Sequence, residues 1–415
     1  MIHVRKNCRA CGSTDLVLIL DLGTTALAND FLSPEEATQD RTALPLRLNL
    51  CRQCSLVQLA EVVDPGVLYS RYAYVTSTSR TMDEHLQSQC THVLEQAASA
   101  RPARVLEIAS NTGLYLKKFQ ARGCEVLGVE PARNIAQLAE AAGVPTWADF
   151  FNAHNARQIR DEWGAADLVL GRHVFAHIDD WADLLAGLDA ITHERSLVAL
   201  EVPYLLDFYE HTEFDTVYHE HLSYVSVMAV EALLAQSAFR LQRVDRYPIH
   251  GGSALIQLRR RSDPAPVHES VRQSLVREKT LNLADPATWH PFVERVRGIQ
   301  DRLPALIREL KAQGKRIIGY GASAKGNTLL NTCGLTPRDL DYIIDNTPFK
   351  QNKLSPGSRI PVKPPETLLK DQPDYTLLLA WNFGAEIMQR EQDYQKRGGR
   401  FIVPIPEPRV MEYKA

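Results

Sequence analysis

Apolar and polar positions along this chain change period several times, and each change marks a part. LVLILDLGTTALANDFL (from Leu16) and LRLNLCRQCSLVQL (from Leu46) are apolar and neutral. Asp64 to Thr81, DPGVLYSRYAYVTSTSRT, is polar and aromatic and leads into a helix, MDEHLQSQCTHVLEQAA. From Arg101 short apolar runs alternate with helical ones. VLEIAS predicts a strand, NTGLYLKKFQARG a helix, EVLGVE a second strand and PARNIAQLAEAAG a second helix. DLVLGRHVFAHI and SLVALEVPYL continue the alternation, so a doubly wound sheet is expected to about residue 235. FRLQRVDRYPIHGGSALIQLRR then reads as two strands around a His-Gly-Gly turn, and Val271 to Gln313 as charged helix. RIIGYGASAKGNTLL restarts strand, Gly-rich turn and helix, and YIIDNT, TLLLAW and RFIVPI add three strands, so residues 315–405 form a second, smaller α/β unit.

Composition narrows the function classes. The 415 residues hold 47 Lys+Arg against 50 Asp+Glu, a formal charge of −3, with 45% hydrophobic residues. That length suits two to three domains of about 150 residues each. The near balance of charge provides no drive toward nucleic acid or anionic lipid, so no nucleic-acid or membrane partner is expected. MIHVRKNCRA lacks an apolar signal core, and no run approaches the ~20 apolar residues of a membrane span. A cytoplasmic monomer is the expectation.

Of the seven cysteines, four form two C-x-x-C knuckles, Cys8/Cys11 and Cys51/Cys54. Such pairs in a cytoplasmic protein favour a tetrahedral thiolate zinc site over disulfides. The long gap between the knuckles requires extra structure in one loop. The zinc role reads as structural, because the surroundings are apolar and neutral.

VLEIASNTG carries Glu107 at a strand end and Gly113 where backbone would approach a ligand, and Glu130 ends the next strand, where it can accept from both ribose hydroxyls of an adenosine. A pyrophosphate calls for G-x-G-x-x-G. Here the positions hold Ala109, Asn111 and Gly113, and an acid at Glu107 would repel phosphate while it can accept from the ammonium of a methionine moiety. S-adenosylmethionine is therefore favoured over NAD. In WADFF, Asp149 can accept from the adenine amino group, and Phe150 and Phe151 lie where such folds line adenine, with core packing the other reading of either ring.

The densest polar cluster is EVPYLLDFYEHTEFDTVYHEHLSY, Glu201 to Tyr224, at the carboxyl edge of the sheet, with His173 and His177 upstream. A metal site lacks the Glu of an H-E-x-x-H helix. Proton transfer fits better, since a His beside Tyr and Glu offers an oriented base near neutral pKa. His211 and some of the other histidines are expected only to pack or cap.

The ordered succession C-x-x-C, C-x-x-C, VLEIASNTG, GVEPARNIA, FAHIDD, FDTVYHEHLSY, HGGS and GYGASAKGN resembles the sugar C-methyltransferases that build branched deoxysugars such as mycarose and tetronitrose. The resemblance spans nearly the whole chain. It implies an α/β protein with an N-terminal zinc-binding domain (1–80), a central class I, Rossmann-like methyltransferase domain binding S-adenosylmethionine (81–260) and a smaller Rossmann-like C-terminal domain binding nucleotide sugar (261–415). It implies a dTDP-linked 4-keto sugar methylated most readily at C3, with His221 as general base, Tyr218 and Glu220 as sugar-contacting neighbours and His177 as a further polar group. Tyr72, Ser77 and Ser79 match the segment by which the first domain lines the sugar site; a helix cap is the other reading of the serines. Lys325 in GYGASAKGN suits the dTDP pyrophosphate, with Asp345, Asn346 and Lys353 reaching the base or ribose. Two departures stand out: Ala109 where Gly is frequent, and Thr112 in place of Asp. An O- or N-methyltransferase, or a non-catalytic nucleotide-binding zinc protein, are the alternatives.

Overall fold

The computed structural model describes residues 2–38, 41, 43–69, 79–97, 104–249 and 251–412. Tyr72 and Ser77 lie outside the described residues.

The central sheet has seven strands in the order Phe239–Tyr247, Ser253–Arg260, Thr192–Pro203, Ala166–Arg172, Arg104–Ile108, Glu125–Val129, Thr146–Trp147. Only Ser253–Arg260 runs antiparallel to its neighbours. The parallel strands read as unbroken apolar runs because both faces are covered. The two strands after residue 235 do not form a separate hairpin. They join this sheet at its edge. The turn between them needs glycine, since a Cβ on Gly251 (φ +104) would lie 2.2 Å from a Glu213 carboxylate oxygen.

The N-terminal hairpin, Leu16–Thr25 with Leu44–Cys51, fills the long gap between the cysteine knuckles. Val57–Leu59 extends it, and the fourth strand is Ser223–Tyr224, lent by the central part of the chain. That loan ties the polar segment ending at Tyr224 to the N-terminal unit. The C-terminal sheet has six strands, with Ile317–Tyr320 flanked by Ile343–Ile344 and Tyr375–Leu378. Between the sheets runs the helix Pro286–Ala312, begun by Asp285, whose side chain accepts from Ala287 N, and by Pro286 at the first helical position. Trp289, Phe292, Val296, Ile299, Leu303, Ile307 and Leu310 make an apolar stripe at helical spacing. The stripe shares one core with Leu46, Leu48 and Leu50 of the first sheet and Ile317 and Leu377 of the last. Truncating its fully buried Trp289 to Ala should cost about 3–5 kcal/mol.

Candidate active site

The four organised cysteines meet. Their Sγ atoms all lie within 4.8 Å of one another, with Cys8 to Cys54 at 3.5 Å and Cys11 to Cys51 at 3.6 Å. A tetrahedron of Zn–S bonds near 2.3 Å has edges of about 3.8 Å, so the four thiolates fit a zinc ion. Each knuckle closes on its own backbone: Gly12 N donates to Cys8 O and Ser55 N to Cys51 O. Cys90, Cys124 and Cys333 are buried apart from them.

Away from that cluster is a cavity of about 630 Å3 at the carboxyl ends of the central strands, walled by residues of the N-terminal, central and C-terminal parts of the chain. None of the four cysteines lines it.

At one end lie Glu107 and Glu130. Glu130 takes Asn111 N on Oε2 at 3.0 Å and Ala132 N on Oε1 at 2.9 Å, leaving further lone pairs directed at the cavity it lines. Burial pushes its carboxyl up, while those two amides pull the other way. Glu107 is raised further, to about 8, by burial against the pull of Arg172. Among the described residues its Oε2 has no hydrogen-bond partner, and neither have Ser110 Oγ and Tyr115 Oη, all three buried and all on residues lining the cavity. A ligand carrying both donors and acceptors fits that wall. The turn between Glu107 and Glu130 holds Ala109 (φ +52) and Asn111 (φ +51) in the left-handed region where glycine is usual, so the missing glycines leave their mark as strain. Phe150, 42% exposed, stands at the rim.

Two residues expected at this end stand outside the cavity lining. Gly113 does not line the cavity. Its φ of +74 begins the helix Leu114–Gln120, and a Cβ there would lie 2.7 Å from Val144, so its glycine serves packing. Asp149 is exposed and turns its Oδ1 to Phe150 N.

In the middle stand the histidines. His221 Nδ1 is 2.9 Å from Thr216 O, and a carbonyl only accepts, so Nδ1 carries the proton. Nε2 then keeps its lone pair and receives the Tyr218 hydroxyl at 2.6 Å. The His177 ring lies 5.0 Å from that of His221. Burial holds His221 well below the ordinary histidine value, His177 down to about 3 and His173 to about 4, so all three are neutral at pH 7. The loop is fixed at both ends: Tyr224 Oη donates to Thr216 O, and Leu59 N to Leu222 O. Glu220 accepts from Asn29 Nδ2 at 2.7 Å, a cavity residue of the N-terminal unit. His219 turns away to Pro45 O, and His211 lies half-exposed beside Glu213. Neither lines the cavity.

At the far end the turn Ser323–Lys325 begins the helix Ala324–Thr332, with Ser323 Oγ accepting from Gly326 N at 3.0 Å. Lys325 lines the cavity, its Nζ 4.0 Å from Glu213 Oε2 and 5.5 Å from the centre of the Trp381 ring. Asp345 is spent on structure: its carboxylate accepts from Ala322 N and Thr347 N, and it does not line the cavity. Lys353 packs over Phe349. Ser79 caps the helix Arg80–Gln96, accepting from Met82 N at 3.3 Å, and is not a cavity residue. Asn29, Arg172 and Lys350, the last buried with Nζ on Ala322 O at 2.8 Å, are cavity residues that the sequence pattern did not single out.

Among known protein families, a "Putative zinc binding domain" matches residues 8–69, a methyltransferase domain 82–244, and a C-methyltransferase C-terminal domain 248–406. The C-methyltransferase NovU of Streptomyces niveus is 37% identical over 404 residues, spanning 97% of this chain and 96% of that protein. Solved structures overlay in part. Magnesium protoporphyrin IX methyltransferase (ChlM) from Synechocystis PCC 6803, with bound SAM, is 11% identical with a TM-score of 0.34, over 46% of this chain and 88% of that one. Ribosomal protein L11 methylase from Lactobacillus delbrueckii subsp. bulgaricus is 17% identical with a TM-score of 0.30, over 42% and 79%.

Proposed function

This chain belongs to the C-methyltransferase family, and we propose that it methylates C3 of a dTDP-linked 4-keto deoxysugar by way of an enolate. The observation that carries the reading is the Tyr218–His221 pair in the wall of a cavity whose two ends suit different ligands. S-adenosylmethionine supplies the methyl group. Glu130 is assigned to its ribose and Glu107 to its ammonium, with Phe150 against the adenine. Ala109 and Asn111 shape the turn between the two acids. Lys325 and the helix amides behind it receive the pyrophosphate. The units 1–80, 81–260 and 261–415 are then a zinc-stabilised wall, a cofactor half and a nucleotide-sugar half.

A carbon bearing hydrogen becomes a nucleophile only after losing a proton, and a neighbouring ketone makes that possible by spreading charge onto oxygen. His221 is assigned as the proton's destination. In the proposed step, the carbon's C–H bond breaks toward the Tyr218 oxygen while the Tyr218 proton passes to His221 Nε2. Thr216 O holds the ring in the required tautomer. His177 faces the enolate oxygen as a polar neighbour, and Glu220, oriented by Asn29, accepts from a sugar hydroxyl. Zinc serves the fold, since its ligands stand outside the cavity.

The test is incubation with S-adenosylmethionine and dTDP-4-keto-6-deoxy sugars. Release of S-adenosylhomocysteine with a new C-methyl signal in the sugar is expected. A methyl group on oxygen or nitrogen would refute the reaction class.

A further inference from the structure

Arg172 is the last residue of its strand, beside the strand that ends near Glu107: Glu107 is opposite Leu170 and Ile108 opposite Gly171. On its other side Arg172 is opposite Glu201. Arg172 Nε donates to Glu201 Oε2 at 3.0 Å, and His85 Nε2 meets the other carboxylate oxygen at 2.7 Å. Glu201 is fully buried and Arg172 has a side-chain exposure of 10%. The guanidinium carbon lies 5.5 Å from the centre of the Tyr115 ring, and one terminal nitrogen is 3.4 Å from Met82 Sδ, a weak acceptor. Nε is thus committed, while the terminal edge makes no strong hydrogen bond among the described residues.

The charges leave a specific gap. Two acids, Glu107 and Glu201, share one arginine. Glu201 occupies the Nε side of Arg172, and Glu107 keeps an unpartnered buried oxygen in the cavity wall. An α-amino acid group brings one cation and one anion, which would complete both. Resting on the S-adenosylmethionine reading above, we propose that Arg172, locked in place by Glu201 and His85, grips the carboxylate of the cofactor's methionine end through its terminal nitrogens, beside Glu107 on the ammonium. Arg172 is therefore a cofactor-binding residue that sets preference for cofactors with an intact amino acid end. A guanidinium edge matches a carboxylate in two parallel hydrogen bonds, which also fixes its direction.

Calorimetry on the zinc-loaded full chain tests this with three ligands: S-adenosylhomocysteine, its analogue lacking the carboxylate, and 5′-methylthioadenosine, which lacks the whole amino acid end. The wild type should bind S-adenosylhomocysteine roughly 10- to 100-fold more tightly than the decarboxylated analogue, the range for charge-assisted hydrogen bonds. Arg172→Met should lose that difference while keeping wild-type affinity for 5′-methylthioadenosine. Arg172→Lys, which keeps the charge beside Glu201, should recover only part of it. The wild-type comparison needs no variant, so it stands even if Arg172→Met fails to fold. Equal wild-type affinity for the carboxylate-bearing and decarboxylated ligands would overturn the inference alone. Binding of none of the three would overturn the cofactor reading with it.

Discussion

The Tyr218 hydroxyl lies 2.6 Å from His221 Nε2, while the opposite nitrogen of that ring is held by Thr216 O at 2.9 Å. The imidazole therefore has one site for a proton, and a phenol already occupies it. Under the proposed mechanism, the histidine read from sequence as a base is the second member of a relay through Tyr218. Tyr218→Phe keeps the ring and removes the proton carrier. Methyl transfer is expected to fall at least ~10²-fold with S-adenosylhomocysteine affinity unchanged. Near wild-type turnover would show that Tyr218 only contacts the sugar. Because burial holds His221 well below its ordinary value, the base stays neutral from pH 8 down to 6.5, and turnover should show no loss from His221 protonation over that span.

Glu107 gives a second pH signature. Its folded value is raised by burial from 4.5 to about 8, so the neutral acid is the form the ligand-free fold prefers. The stability this provides is complete below the unfolded value and is lost as pH rises through about 8. Melting of ligand-free wild type and Glu107→Gln between pH 4 and 9 should show the variant gaining on the wild type as pH increases. Parallel curves would contradict the placement of a buried acid there.

The cysteine cluster is expected to hold about one zinc per chain. Cys51→Ser should lower zinc content and melting temperature together. Zinc-free protein after purification without chelator would reject the site.

Lys325→Met should weaken dTDP binding roughly ten-fold or more and leave S-adenosylhomocysteine binding intact. The variant removes the lysine beside Glu213, buried at 2%, and leaves it His211 alone, so its melting temperature belongs beside the affinity. Unchanged dTDP affinity would remove the pyrophosphate assignment.

Much of this was legible before the fold. The knuckles Cys8/Cys11 and Cys51/Cys54 announce their geometry by spacing, and the strand, turn and helix runs place Glu107 and Glu130 at strand ends, with Lys325 at the start of a helix that follows a strand. What stayed hidden depends on neighbours from elsewhere in the chain. Asn29 and Arg172 have unremarkable sequence contexts and acquire meaning only against Glu220 and Glu201. Lys350 is one surface-like lysine among many until Ala322 O and the cavity wall enclose it. Asp149 and Asp345 show the converse: each is a short acid beside a turn that accepts from nearby backbone N–H groups. Gly113 has a second reason to be glycine, since its left-handed backbone and close packing against Val144 ask for that residue without any ligand.

The central claim is proton removal from carbon with His221 as the destination. Enzyme and dTDP-4-keto sugar in heavy water, with S-adenosylhomocysteine filling the cofactor site, isolate that step from methyl transfer. Slow exchange of the hydrogen next to the ketone for deuterium is the expected result, abolished in His221→Ala while affinity for S-adenosylhomocysteine stays near wild type. Exchange that continues at the wild-type rate in His221→Ala would contradict the assignment, and no exchange in the wild type would contradict the enolate itself.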